Sequence, residues 1–207
     1  MTAPTLLPHQ HLLDKADRWF DRSRASLLGA LPCRRGCCRC CVGVFAITML
    51  DADALEAGLA GMPEETRLDI QQRAMEQATA MEQVYPRLTR SRYVSEWNDS
   101  ELDELADRFS NLQCPALAPD GSCRVYAFRP LTCRTMGIPV EEERIVRGAC
   151  EVQTAIPLIK LSQILRAQED DLAAQEAHAL QHRKNAADRS ARPAEGEEVL
   201  LPYGFLK

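Results

Sequence analysis

Nine cysteines fall into two widely separated groups, and no ordinary hydrophobic core accounts for them. Cys33, Cys37, Cys38, Cys40 and Cys41 lie within nine residues, and Cys114, Cys123, Cys133 and Cys150 follow after a gap of more than 70. A free cysteine in a core behaves as a small hydrophobe. That role suits Cys114 or Cys150 taken alone, but five thiols interleaved with Arg34, Arg35 and Arg39 form a loop far too polar for it. A full set of disulfides is disfavoured by the odd count and by the N-terminus. Asp14, Lys15, Asp17 and Arg18 stand there where an export signal needs unbroken apolar residues. The expected location is therefore the reducing cytoplasm, where clustered cysteines usually serve metal or redox chemistry.

Two C-x-x-C pairs overlap, Cys37 with Cys40 and Cys38 with Cys41. This spacing lets two thiolates curl round one ion in a tight turn, as in zinc knuckles and iron–sulfur loops. A tetrahedral site needs four soft donors, so the first group must recruit from the second or hold a cluster of its own. Adjacent cysteines such as Cys40 and Cys41 project in different directions. They suit two neighbouring centres, or one of them is a spare thiol.

Local charge agrees with metal. Four thiolates around Zn²⁺ or a [4Fe–4S]²⁺ cluster leave a net charge of about −2. The chain as a whole carries −5, yet residues 33–41 hold three arginines and no acid. Residues 121–140 likewise hold Arg124, Arg129 and Arg134 with no acid. One arginine about 5 Å from a unit negative charge contributes on the order of 3 kcal/mol at an effective dielectric near 20. The same arginines would favour the thiolate form. The overall charge gives no pull toward nucleic acid or an anionic membrane. The longest apolar run, between Arg39 and Asp51, has eleven residues, well short of the roughly 20 that cross a bilayer.

Helical spacing of Leu12, Leu13, Ala16, Trp19, Phe20, Leu27 and Leu28 predicts a helix over about 9–28, stopped by Gly29 and Pro32. Residues 42–48 read as a short buried strand, Asp51 as the cap of a helix ending near Gly61, and Pro63 as the start of a longer one reaching Tyr85. Ser100 with Asp103 suggests a capped helix over 100–110. Residues 112–150 carry too many prolines and glycines for one helix, with a hairpin expected between 136–140 and 144–146. From Pro157 a helix returns with Leu158, Leu161, Ile164, Leu165 and Leu172 on one face. Residues 185–198 read as a linker, and the apolar stretch 199–207 as a segment able to dock back. His178 and His182, spaced i, i+4, read as solvated on a polar face, and His9 and His11 as surface.

Cys33-x-x-x-Cys37-x-x-Cys40-Cys41, then Cys114-Pro115, then Cys123-Arg124-Val125-Tyr126-x-x-Arg129-Pro130-x-x-Cys133-Arg134 resembles the YkgJ-type cysteine-cluster family. The resemblance covers about residues 30–152, and its motif is also similar to that of flagellin lysine N-methylase. It implies a zinc- or iron-chelating domain. Cys38 departs from the pattern by falling inside the C-x-x-C spacer, which leaves open whether Cys37/Cys40 or Cys38/Cys41 is the ligand pair. Pro130 fixes the backbone ahead of Cys133, and Tyr126 and Arg129 are expected to pack or hydrogen-bond around the site.

The expected molecule is mostly α with a small β hairpin, its irregular metal-centred core lying between helices. One cysteine-cluster domain spans 1–183, and 184–207 form a flexible tail. The candidate ligands are Cys33, Cys37, Cys40, Cys41, Cys114, Cys123, Cys133 and Cys150, holding zinc or iron, the latter as an ion or an iron–sulfur cluster. The partner is a metal ion, with another protein as a further candidate, and neither nucleic acid nor membrane. Two other functions follow from different premises: a protein-lysine methyltransferase, on the resemblance alone, and a redox or metal-delivery partner.

Overall fold

The computed structural model describes residues 6–27, 31, 37–142, 145–147, 160–189 and 196–207. Helix α1 (Leu6–Ser26) forms where the apolar spacing predicts it, and Leu12, Leu13, Ala16 and Trp19 are buried along one stripe. That stripe packs on the long helix α7 (Gln163–Arg189), and the indole Nε1 of Trp19 donates to the Leu165 carbonyl over 2.8 Å. Leu161, Leu165 and Leu172 face inward at spacings of four and seven, whereas Ile164 is 73% exposed. Its place on the expected apolar face is corrected: it sits a quarter turn off the Leu161–Leu165 line and points to water.

Strand β1 (Ala46–Thr48) leads directly into α2 (Met49–Ala60). Thr48, rather than Asp51, caps α2, its hydroxyl accepting the Asp51 amide at 3.3 Å. Pro63 precedes α3 (Glu64–Val84) as expected, and α4 (Arg87–Arg90) follows Pro86. Helix α5 (Asp99–Arg108) is capped two residues earlier than expected, by a reciprocal box of Asn98 and Glu101 with bonds of 2.9 and 3.0 Å. Asp103 is one methylene shorter than the Glu or Gln such a box uses to reach back.

The hairpin forms from β2 (Val140–Glu142) and β3 (Ile145–Arg147), paired antiparallel with Val140 opposite Arg147. Glu141 and Glu142, expected in the turn, belong to the strand. The C-terminal segment is the larger departure. Residues 185–189 continue α7, and β4 (Glu198–Leu200) pairs antiparallel with β1, Ile47 opposite Val199. The short helix α8 (Leu201–Gly204) and Phe205 are buried. The linker reading of 185–198 gives way at 185–189 and at Glu198, whereas 199–205 dock back as their composition allows, burying Val199, Leu200, Leu201, Tyr203 and Phe205.

Two apolar clusters result. The larger joins α2, α3, α5, β4 and α8 around Leu55, Ile70, Met81, Leu105 and Phe205. The smaller joins α1 and α7 to Ala54, Leu131 and Ile138. Among the described residues no helix is long and apolar enough to cross a membrane.

Candidate metal centre

The first cysteine loop and the 112–124 segment meet through their backbones. Gly43 N donates to Leu112 O at 2.7 Å, Val42 bridges Gln113, and Cys114 N donates to Cys41 O at 2.7 Å. Gly43 has φ +102°, a left-handed conformation that an L residue adopts only with strain, and it turns the chain out of this contact. Just before it, Cys41 N donates to Cys38 O at 2.9 Å, closing the short 3₁₀ turn Arg39–Cys41.

The chain then doubles back. Leu117 bridges Cys123, Ala118 N donates to Ser122 O at 2.9 Å, and Arg124 N donates to Ala116 O at 3.0 Å. Gly121, at φ +80°, makes the reversal. This brings Cys123 alongside the Cys114 strand. Helix α3 supplies partners for the loop at every fourth residue. Asp69 pairs with Arg124 at 2.6 Å, Arg73 donates to Leu117 O at 2.8 Å, and Gln77 donates to Gln113 O at 2.7 Å. A segment without a regular ladder thus has its carbonyls satisfied by side chains from a rigid helix.

A second 3₁₀ turn (Tyr126–Phe128) seats the Phe128 ring against Gly58 of α2 so closely that a Cβ there would stand 2.2 Å from it. Pro130 then opens α6 (Leu131–Thr135), which carries Cys133. Arg134, 2% exposed, fastens this turn: it donates to Arg129 O at 3.0 Å and Ala127 O at 2.8 Å and pairs with Asp17 of α1. Arg129 also pairs with Asp17, at 3.0 Å, and lies 3.9 Å from the centre of the Tyr126 ring. Tyr126, expected with Arg129 around the site, stacks on its guanidinium from the outside and is 63% exposed.

The thiols of Cys40, Cys41, Cys114, Cys123 and Cys133 lie close enough to feel one another's charge. The neighbouring Cys41 thiol holds Cys40 down to about 6, and Cys41 is itself driven up by Cys40 and by burial. Burial pushes Cys114 up to about 11 and raises Cys123. Burial, then the charges of Cys114 and Cys123, raises Cys133 well above the usual thiol range. Arg129 offsets part of this at both Cys40 and Cys123.

The donor chemistry fits a soft or borderline cation. The backbone joins the Cys41 and Cys114 segments, and Arg129, whose Nε is buried without a hydrogen-bond partner, supplies positive charge near Cys40 and Cys123. A leftover buried donor normally costs about 1–3 kcal/mol, which a charged thiolate nearby would reduce. Among the described residues, no three Cys, His, Asp or Glu side chains are yet gathered tightly enough to hold an ion. The seven described cysteines are free. Cys37 and Cys38 are half-buried in the same loop, while Cys33 and Cys150 lie outside the described residues. His178 and His182 stack edge to face at 4.5 Å on an exposed stretch of α7.

Three residues escaped the sequence reading. His9, read as surface, is 2% exposed, and Asp51, read as a cap, is 1% exposed. The two meet at 2.8 Å. Asp17 bridges both arginines of the motif. One local signal existed for Asp17, its place beside Ala16 on the buried side of α1; the contacts of His9 and Asp51 span 42 and 80 residues and leave none.

Against known protein families, the CxxCxxCC model, described as "Putative zinc- or iron-chelating domain", matches residues 32–151. No curated protein and no solved structure matches the chain.

Proposed function

The chain belongs to the CxxCxxCC family, and from that premise we propose that it binds zinc or iron through cysteines of both its segments. Zinc or iron chelation is the property the family match supports; the choice of ligands is our own reading. The observation that carries it is the 2.7 Å bond from Cys114 N to Cys41 O, which draws the two cysteine segments into one corner. Cys40, Cys41, Cys114, Cys123 and Cys133 would supply the thiolates, with Cys37, Cys33 and Cys150 as the remaining candidates. Bound zinc would supply a closed tetrahedral crosslink, and iron, as ion or cluster, would add a redox couple.

The chain's own residues prepare this chemistry. Arg129 and Arg134 lower the cost of gathering anionic sulfurs, and Asp17 holds both guanidiniums in place. The fold of 114–135 is rich in turns and poor in large side chains, so a thiolate crosslink would add order there, as structural zinc does on the order of 10 kcal/mol in small domains.

Elemental analysis of protein purified anaerobically tests the proposal. Zinc or iron bound in the parent, and reduced by at least half in both Cys40→Ser and Cys123→Ser, is expected. A brown solution would identify iron–sulfur, and a colourless zinc protein the crosslink. Parent protein free of both metals under reducing conditions would refute it.

A further inference from the structure

We infer that Asp51, braced by His9, is the positioning residue for Cys133: it clamps the leading amide of the turn that carries this thiol. The inference takes its purpose from the metal reading above, but its geometry stands apart from it. Both carboxylate oxygens of Asp51 lie 3.1 Å from Leu131 N, and Oδ1 also lies 2.8 Å from His9 Nε2. Leu131 is the first residue of α6 and sits two before Cys133.

A five-residue helix has little internal hydrogen bonding to hold its axis, so an anchor on its first amide governs where its side chains point. The anchor is unusual in its setting. Leu12, Leu13, Ala54, Leu131 and Ile138 form the apolar cluster around it, and a carboxylate and an imidazole are costly to bury unless they pair. Apolar residues would fill the same space at lower cost. The polar pair does what they could not: it fixes a direction. His9 Nδ1 has no hydrogen-bond partner, so the ring is oriented through Nε2 toward Asp51 alone. The clamp also ties three elements to the thiol, because His9 lies on α1, Asp51 in the first turn of α2, and Leu131 on α6. Asp17 grips the far end of the same turn through Arg134.

Alkylation of the metal-free, reduced protein by iodoacetamide, followed residue by residue by peptide mass spectrometry, tests this. In the parent Cys133 should react slowly. In Asp51→Ala it should react about tenfold faster, the loss of a charged hydrogen bond, while Cys114 changes by less than about twofold. Asp51→Asn, which retains one acceptor for the Leu131 amide, should restore most of the protection, and His9→Gln should give a smaller rise at Cys133 alone. If Asp51→Ala does not fold, His9→Gln decides by its rise at Cys133 alone. Unchanged Cys133 rates in Asp51→Ala, or in His9→Gln where that variant decides, or equal rises at Cys114 and Cys133, would overturn the assignment. The two readings fail separately: parent protein that holds no zinc or iron sinks the metal proposal, whereas Asp51-dependent protection of Cys133 would still support the clamp.

Discussion

The amide of Cys114 donates to the carbonyl of Cys41 over 2.7 Å, although 73 residues separate them in sequence. This one bond closes a long loop containing β1, α2, α3, α4 and α5. The helices in that loop therefore act as the frame that holds two cysteine segments together.

Arg134 should prove to be the main fastener of the Cys133 turn. Arg134→Met strands the Ala127 and Arg129 carbonyls and leaves Asp17 with one cation instead of two. A loss of about 3 kcal/mol is expected from denaturant unfolding. Arg134→Lys should recover little of it, since an ammonium cannot reach three partners in a plane. A loss under about 1 kcal/mol for Arg134→Met would show that the turn is held elsewhere.

The C-terminal segment gives a second prediction. Phe205 is 1% exposed in the larger cluster, so Phe205→Ala should cost about 3–5 kcal/mol. A neutral result in thermal melts would restore the flexible-tail reading.

Glu176 gives a pH dependence. Burial, then the negative charge of Asp51, pushes its carboxyl from 4.5 up to about 7, while the Thr48 hydroxyl at 3.0 Å pulls the other way. His9 on α1 and Glu198 on β4 face it as well, with opposite effects. Between 4.5 and about 7 the folded protein binds more protons at this site than the unfolded chain. Stability is then full below about 4.5, falls as pH rises to about 7, and is level above. Glu176→Gln keeps the acceptor and removes the charge. It should exceed the parent by about 2–3 kcal/mol at pH 8 and match it at pH 4. An equal difference at both values would mean that charge is not the cause.

The overlapping pairs can be resolved by single substitutions. Cys38 heads the 3₁₀ turn through its carbonyl, a backbone role that serine can fill. Cys38→Ser should leave metal stoichiometry nearly intact, and Cys37→Ser should lower it. The reverse order would assign Cys38 and Cys41 as the ligand pair.

Periodicity was a good guide where contacts are local. The stripe of α1, the proline before α3 and the hairpin after Pro139 could all be read within a few residues. The two cysteine groups were legible for a different reason, their composition being intolerable in any other setting. What sequence could not show were partners remote along the chain. Asp51 and His9 look like a cap and a frayed end until α6 arrives beside them. Likewise residues 199–205 could be read as able to dock, but not where, until β1, about 150 positions earlier, offers its edge to β4. Ile164 failed in another way: an apolar residue near a helix start satisfies the pattern without being on the buried side.

X-ray absorption at the edge of the bound metal reads the ligands of the centre. A sulfur-dominated coordination sphere is expected, near 2.3 Å if the metal is zinc, which loses sulfur in Cys40→Ser and also in Cys123→Ser, one from each segment. A shell of nitrogen and oxygen, or a sulfur shell untouched by substitutions in one of the two segments, would contradict it.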